Sequence, residues 1–214
     1  MKLIKEITES VNYLTEEKDG KKTLFIEGPF LVSERTNKNG RMYKEETMRK
    51  EVSRYTEEYI NKNRAFGELG HPDTPSINLD RVSHLIVGLR QEGNDWIGKA
   101  KILETPMGNI AKNLIEGGAQ LGVSSRGMGS LKAVNGVNIV QDDFHLATAA
   151  DIVADPSAPG AFVQGIMEGK EWVYVNGIWT EQHIEESKKL IQKVSRKDVE
   201  KVSLQIFENF IKKL

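Results

Sequence analysis

The sequence predicts an α+β domain built on an antiparallel sheet or barrel, residues 21–168, between helical arms at residues 1–20 and 169–214. Two observations carry that expectation. Arg81 to Leu103, which contains HLIVGLRQEGNDWIGKAKIL, and the stretch around Asn135-Gly136 both pattern as hairpins about short turns. Helical periodicity is confined to a few segments between and outside them.

Taken in order, residues 1–18 set Leu3, Ile4, Ile7, Val11 and Leu14 at helical spacing, so an amphipathic helix is expected up to the Lys18-Asp19-Gly20 break. TLFIEGPFLVSE is β-rich, with Gly28-Pro29 interrupting it as a bulge or bend does. Asn37 to Gly40 reads as a turn. Between Lys44 and Asn61, Met48, Val52, Tyr55 and Tyr59 recur on one helical face suited to packing on a sheet. Thr105-Pro106 reads as an N-cap followed by proline at the first helical position, and that helix is expected to run to Gly117-Gly118. GVSSRGMGS then enters as a strand through Leu121, Gly122 and Val123. A hairpin turns at Asn135-Gly136, and its return strand is expected from Asn138 to Val153. A proline-rich loop from Asp155 to Gly160 closes the core. Beyond Gly165 the pattern changes to a short hairpin, WVYVNGIW, and two helical stretches, Glu181 to Val194 and Arg196 to Leu214.

With 214 residues, of which 38% are hydrophobic, the chain can bury one substantial core. Thirty basic residues against thirty-one acidic ones leave a net charge of -1, which argues against nucleic-acid binding through bulk positive charge. The absence of cysteine excludes disulfide frameworks, thiolate metal sites and a cysteine nucleophile. No apolar run is long enough to cross a bilayer, and MKLIKEITES mixes apolar residues with charge instead of forming a signal-peptide core. An intracellular protein without membrane partners is expected.

The segment Gly122-Val123-Ser124-Ser125-Arg126-Gly127 admits three readings: a nucleophile turn, an anion cradle, or a strand junction with a β-bulge and a surface arginine. The G-x-S-x-G elbow fails, because Arg126 stands where its second glycine belongs. A phosphate loop fails too, because no Lys-Ser/Thr pair opens a helix after the glycines. A serine nucleophile needs a base, and the base needs a group that fixes its tautomer. Four histidines are available. His71 lies in FGELGHPDTP, a loop crowded with glycine and proline, where reactive side chains are commonly presented. His145 is a second candidate, on a strand soon after the serines. His84 opens a β run and His183 falls in the late helical region, settings that favour structural roles. Asp151, in ATAADIVADP, is a carboxylate in an apolar strand and wants a partner there. The hairpin between Ser124 and Asp151 can lay their strands side by side. His71, Asp73 and His84 lack the spacing of a metal site, so neither metal nor cofactor is expected.

AFGELGHPDTPSINLDRVSH, then GVSSRGMGSL, then FHLATAADIVADPSAPGA, with FIEGPFLVSERTNKNGRMY near the front, resembles the prohead core proteases of T-even-type tailed bacteriophages. The likeness spans residues 22–163 and leaves the arms outside it. It implies a serine endopeptidase with a fold similar to the herpesvirus assemblins, a mostly antiparallel β-barrel ringed by helices. It implies His71 as base, Ser124 as nucleophile and Asp151 as the acid, with His145 the alternative third member. Ser125, Arg126 and Gly127 become oxyanion or substrate candidates, alongside the loop Asp155 to Gly160. Residues 21–168 become the protease domain and 169–214 a candidate propeptide.

The implied substrates are scaffold or core proteins and the major capsid protein precursor, cut after glutamate in (Leu/Ile)-x-Glu, inside the assembling prohead in the host cytoplasm. Ile166-Met167-Glu168-Gly169 matches such a site, so self-cleavage between Glu168 and Gly169 is expected of a zymogen. Leu114-Ile115-Glu116-Gly117 also matches, but ends a helix that folding should protect. A homo-oligomer is compatible with the sequence. The rival functions are a non-catalytic scaffold or assembly module on the same fold and a serine hydrolase acting on small esters.

Overall fold

The computed structural model describes residues 2–8, 12–18, 21–154, 171–175 and 178–182. In chain order these form strands β1 (Lys2–Thr8), β2 (Asn12–Lys18), β3 (Lys21–Val32) and β4 (Arg41–Tyr43), then helix α1 (Glu45–Tyr55), which continues as a π-helical turn, Thr56–Ile60. Strand β5 (Phe66–Glu68), a short helical turn at Leu79–Arg81, β6 (Val82–Glu92), β7 (Asp95–Ile102) and α2 (Pro106–Glu116) follow. The chain proceeds through β8 (Gly122–Gly129), β9 (Leu131–Val134), β10 (Val137–Val140), β11 (His145–Val153), β12 (Glu171–Val175) and β13 (Ile178–Gln182).

One sheet has the order β2-β3-β7-β6-β5 and a second the order β1-β8-β11, every pair antiparallel. A small sheet, β4-β10-β9, and the hairpin β12-β13 complete the strands. The two larger sheets meet where Leu69 bridges Ile152 in parallel and the Gly70 amide donates to the Ile152 carbonyl at 2.8 Å. Residues of β3 also approach β8 and β11, those of β6 approach β11, and the shared core includes Ile26, Phe30, Ile86, Ala100, Leu146 and Ala149.

Most local expectations hold. The bulge expected at Gly28-Pro29 is the register shift between Pro29 and Leu31 against β7. That shift breaks the in-out alternation, so the neighbours Phe30 and Leu31 are both buried. Met48, Val52 and Tyr55 form the buried face of α1, and Tyr59 stacks on Tyr55 with ring centroids 5.2 Å apart. Thr105 caps α2, its hydroxyl oxygen accepting from the Gly108 amide at 3.0 Å, with Pro106 at the first helical position.

Four expectations need correction. The N-terminal arm is not a helix: β1 pairs along β8 and β2 along β3, and Ile4 is 1% exposed. A lone amphipathic helix of that length is marginal in water, so the sheet partners decide the conformation. The closed barrel is absent among the described residues. The seam rests on the Leu69–Ile152 bridge beside the short β5, too little for a continuous ladder around the domain. The single return strand is divided into β10 and β11 by a turn at Gln141 to Phe144, closed by Phe144 N–H donating to the Gln141 carbonyl. The helix expected from Glu181 overlaps β13, which runs to Gln182. Its remainder, the last helix, the loop Asp155 to Gly160 and the Glu168-Gly169 junction lie outside the described residues.

At Gly67 three strands converge with no room for a side chain. A Cβ there would lie 2.1 Å from His84 Nε2 and 2.3 Å from the Ala150 carbonyl oxygen. Gly67→Ala is therefore expected to destabilise the fold by about 1–3 kcal/mol, read as a lower urea midpoint at unchanged slope.

Candidate active site

Strand β8 is buried along its whole length, flanked by β1 and β11. Its register sets Ser124 directly opposite Asp151, and residues directly opposite project to the same face. Two irregularities in β11, between Leu146 and Thr148 and between Thr148 and Asp151, bring the strand into that register. Asp151 is thus placed by sheet pairing rather than by a loop.

His71 arrives from the other sheet. After β5 the chain crosses the seam at Leu69, turns at Gly70, whose φ of 83° suits glycine, and presents the imidazole between serine and aspartate. Ser124 Oγ lies 3.1 Å from His71 Nε2, and His71 Nδ1 lies 3.2 Å from Asp151 Oδ2. With Nδ1 carrying the proton toward the carboxylate, Nε2 is the ring nitrogen that accepts the serine hydroxyl hydrogen. Ser124 and Asp151 have no exposed surface, whereas the His71 side chain keeps 14% of its own, so the site meets solvent at the imidazole.

The carboxylate is densely held. Asp151 Oδ1 accepts from the Glu68 amide at 3.0 Å and from Arg126 Nη2 at 3.2 Å, and Oδ2 accepts from Arg126 Nε at 2.6 Å. Burial works to raise the Asp151 pKa, but the Arg126 charge and the His71 contact outweigh it and hold the carboxyl below its ordinary value. Glu68 Oε1 accepts from Arg126 Nη2 at 3.2 Å and from the Asn78 amide at 2.8 Å. Glu68 Oε2 faces Arg81 Nε at 3.4 Å. Arg126 Nη1 donates to the Thr74 carbonyl and, at 3.4 Å, to that of Ser76.

The expected residues therefore separate. Ser124, His71 and Asp151 are brought together. His145 sits instead opposite Met128, where Arg54, Glu51 and Glu58 act on it electrostatically. His84 is buried in β6, its ring hydrogen-bonded at Nδ1 to Ser83 Oγ at 2.9 Å and at Nε2 to the Ala150 carbonyl at 3.0 Å. Arg126, expected among the oxyanion and substrate candidates, is fully buried and turned onto two carboxylates. Ser125 and Gly127 lie inside the same paired strand, not in an open glycine loop, and a Cβ at Gly127 would meet the Phe144 ring at 2.6 Å. The described residues contain no cluster of three or more His, Asp or Glu arranged to hold a metal. Glu68 escaped the sequence reading, and its signal was an acid in a glycine-flanked apolar segment, three positions before His71.

A serine, an imidazole and a carboxylate in one hydrogen-bonded line, on a mostly antiparallel scaffold, form the arrangement of a serine-nucleophile hydrolase. Comparison with known proteins makes the class specific. Residues 5–171 match the family model described as prohead core protein serine protease, and the chain belongs to that family. It is 38% identical over 144 residues to the prohead core protein protease of Enterobacteria phage T4, covering 65% of this chain and 68% of that one. It also matches the solved structure of the bacteriophage T4 capsid assembly protease, gp21, with a TM-score of 0.66 and 32% identity, over 71% of this chain and 97% of the other.

Burial pushes His84 down to about 4, so the folded chain refuses a proton that the unfolded chain takes up near 6.5. That stability is complete above 6.5 and is lost as pH falls toward 4, about 3 kcal/mol in full. Asp151, depressed when folded, adds a loss at still lower pH. Urea midpoints are expected to fall between pH 7 and pH 4.5, and His84→Gln should flatten that dependence.

Proposed function

We propose that this chain is a Ser-His-Asp serine endopeptidase that cuts scaffold or core proteins and the major capsid protein precursor after glutamate in (Leu/Ile)-x-Glu sites, inside the assembling prohead. The observation that carries the reading is the line from Ser124 Oγ through His71 to Asp151, with contacts of 3.1 and 3.2 Å. In this mechanism His71 Nε2 takes the hydroxyl proton as Ser124 Oγ attacks the scissile carbonyl carbon. The same proton passes to the leaving amine as the peptide bond breaks, leaving an acyl ester on Ser124. Water, deprotonated by His71, then hydrolyses the ester and restores the serine. Asp151 holds the imidazole tautomer and stabilises the imidazolium formed at each step.

The enzyme is made as a zymogen and trims its own C-terminal segment between Glu168 and Gly169. The complete enclosure of Ser124 supports a resting precursor, because a substrate carbonyl reaches its Oγ only after something moves. Purely scaffolding use of the fold gives no reason for a serine, an imidazole and a buried carboxylate to share one hydrogen-bonded line.

Mass spectrometry of the full chain incubated with a peptide containing Ile-x-Glu-Gly tests this. Cleavage after glutamate by wild type, lost in Ser124→Ala and His71→Ala and lowered by orders of magnitude in Asp151→Asn, is the expected result. Cleavage that survives Ser124→Ala overturns the site. A wild-type chain that stays full length while cutting added scaffold overturns self-processing.

A further inference from the structure

The residue that touches the most parts of the site is not one of the three in the hydrogen-bonded line. Arg126 Nε and Nη2 grip both oxygens of Asp151, Nη2 also reaches Glu68, and Nη1 reaches the carbonyls of Thr74 and Ser76, in the segment just beyond His71. A fully buried guanidinium thus joins the strand of the nucleophile, the strand of the acid and the loop of the base. It also shares Asp151 Oδ2 with the imidazole, at 2.6 Å against 3.2 Å for His71. A carboxylate oxygen already neutralised by a closer cation attracts an imidazolium less strongly.

We propose that Arg126 is a positioning residue for proteolysis: it clamps the His71 loop onto Asp151 and divides that carboxylate with the imidazole, so that His71 is held ready to accept the serine proton. Glu68 is the counterweight. It draws on the same Nη2 and so sets how much of the guanidinium charge falls on Asp151. Among the described residues, His84 from β6 and Tyr55 from α1, both enclosed, also act on Asp151, and Arg81 faces Glu68 from the helical turn. The inference rests on the Ser124, His71 and Asp151 reading above.

The arrangement demands opposite responses from two substitutions. Among the described residues, Arg126→Gln leaves Asp151 paired with His71 alone, while Glu68 keeps Arg81, so the His71 titration should move up by about one pH unit. Glu68→Gln removes the competing anion, so the titration should move down. Nitrogen NMR of the His71 ring in the full chain reads both shifts without turnover, and therefore works on a precursor that does not cut. In the peptide assay, Arg126→Gln should lower kcat about a hundredfold with KM nearly unchanged, and its acid limb should follow the NMR shift. Arg126→Lys, which keeps the charge but not the forked donors, should show the smaller pH shift and still lose turnover.

Shifts of the same sign, or none, in folded variants overturn the proposal. So does loss of thermal stability in Arg126→Lys with an unchanged kcat and pH profile, which marks a structural role only. Should Arg126→Gln fail to fold, Glu68→Gln and Arg126→Lys decide the matter by the same readouts. Ser124→Ala, assayed in parallel, separates the two ideas. Cleavage that persists in it removes the site reading, whereas Ser124-dependent cleavage indifferent to Arg126→Lys and Glu68→Gln removes only the part assigned to Arg126.

Discussion

A guanidinium without exposed surface must be neutralised where it lies, and Arg126 meets its counter-charges on two other strands, Asp151 of β11 and Glu68 of β5. Taking such a group out of water costs several kcal/mol unless its donors are met, and the forked hydrogen bonds to two carboxylates and two carbonyls meet them. Removing one partner would leave an uncompensated charge in the interior. The interaction therefore couples β5, β8, β11 and the loop after β5 into one unit, and the short seam between the larger sheets lies beside it.

A second brace holds β11 from its other end. Arg54 and Glu51 on α1 pair with each other, and both reach Leu146, the arginine donating to its carbonyl and the glutamate accepting from its amide. His84 fastens the middle of the strand through the Ala150 carbonyl, immediately before Asp151. Polar contacts within a largely apolar interior thus fix the height of β11 as well as its register. This suits a strand whose acid must sit at hydrogen-bond distance from a residue on another sheet.

Legibility in the sequence followed the range of the interactions. Helices α1 and α2, the hairpin of β6 and β7 and the bulge in β3 were readable because periodicity, caps and turn residues act within a few positions. The N-terminal segment is not legible in this way because β1 is defined by β8, more than a hundred residues away, and helical spacing in a short stretch carries no information about that partner. In the site, loop chemistry singled out His71 and the cost of an isolated carboxylate singled out Asp151, while Ser124 over Ser125 came from family resemblance. For Arg126 the sequence suggests a surface or oxyanion position, because arginine is rarely enclosed. Its enclosure comes from distant partners, Asp151 of β11 and Glu68 of β5, that meet its face, and a run of glycine and serine does not announce a central strand.

The two irregularities in β11 have a consequence for how such a chain can vary. Between Leu146 and Asp151 the strand advances five positions while its partner β8 advances three, from Gly127 back to Ser124. The surplus is what sets Asp151 opposite Ser124, so the segment is constrained in length more tightly than in composition. Exchange of one small residue for another there leaves the count intact. A one-residue insertion or deletion would turn the carboxylate to the opposite face of the sheet and take it out of reach of His71, whatever residues remained.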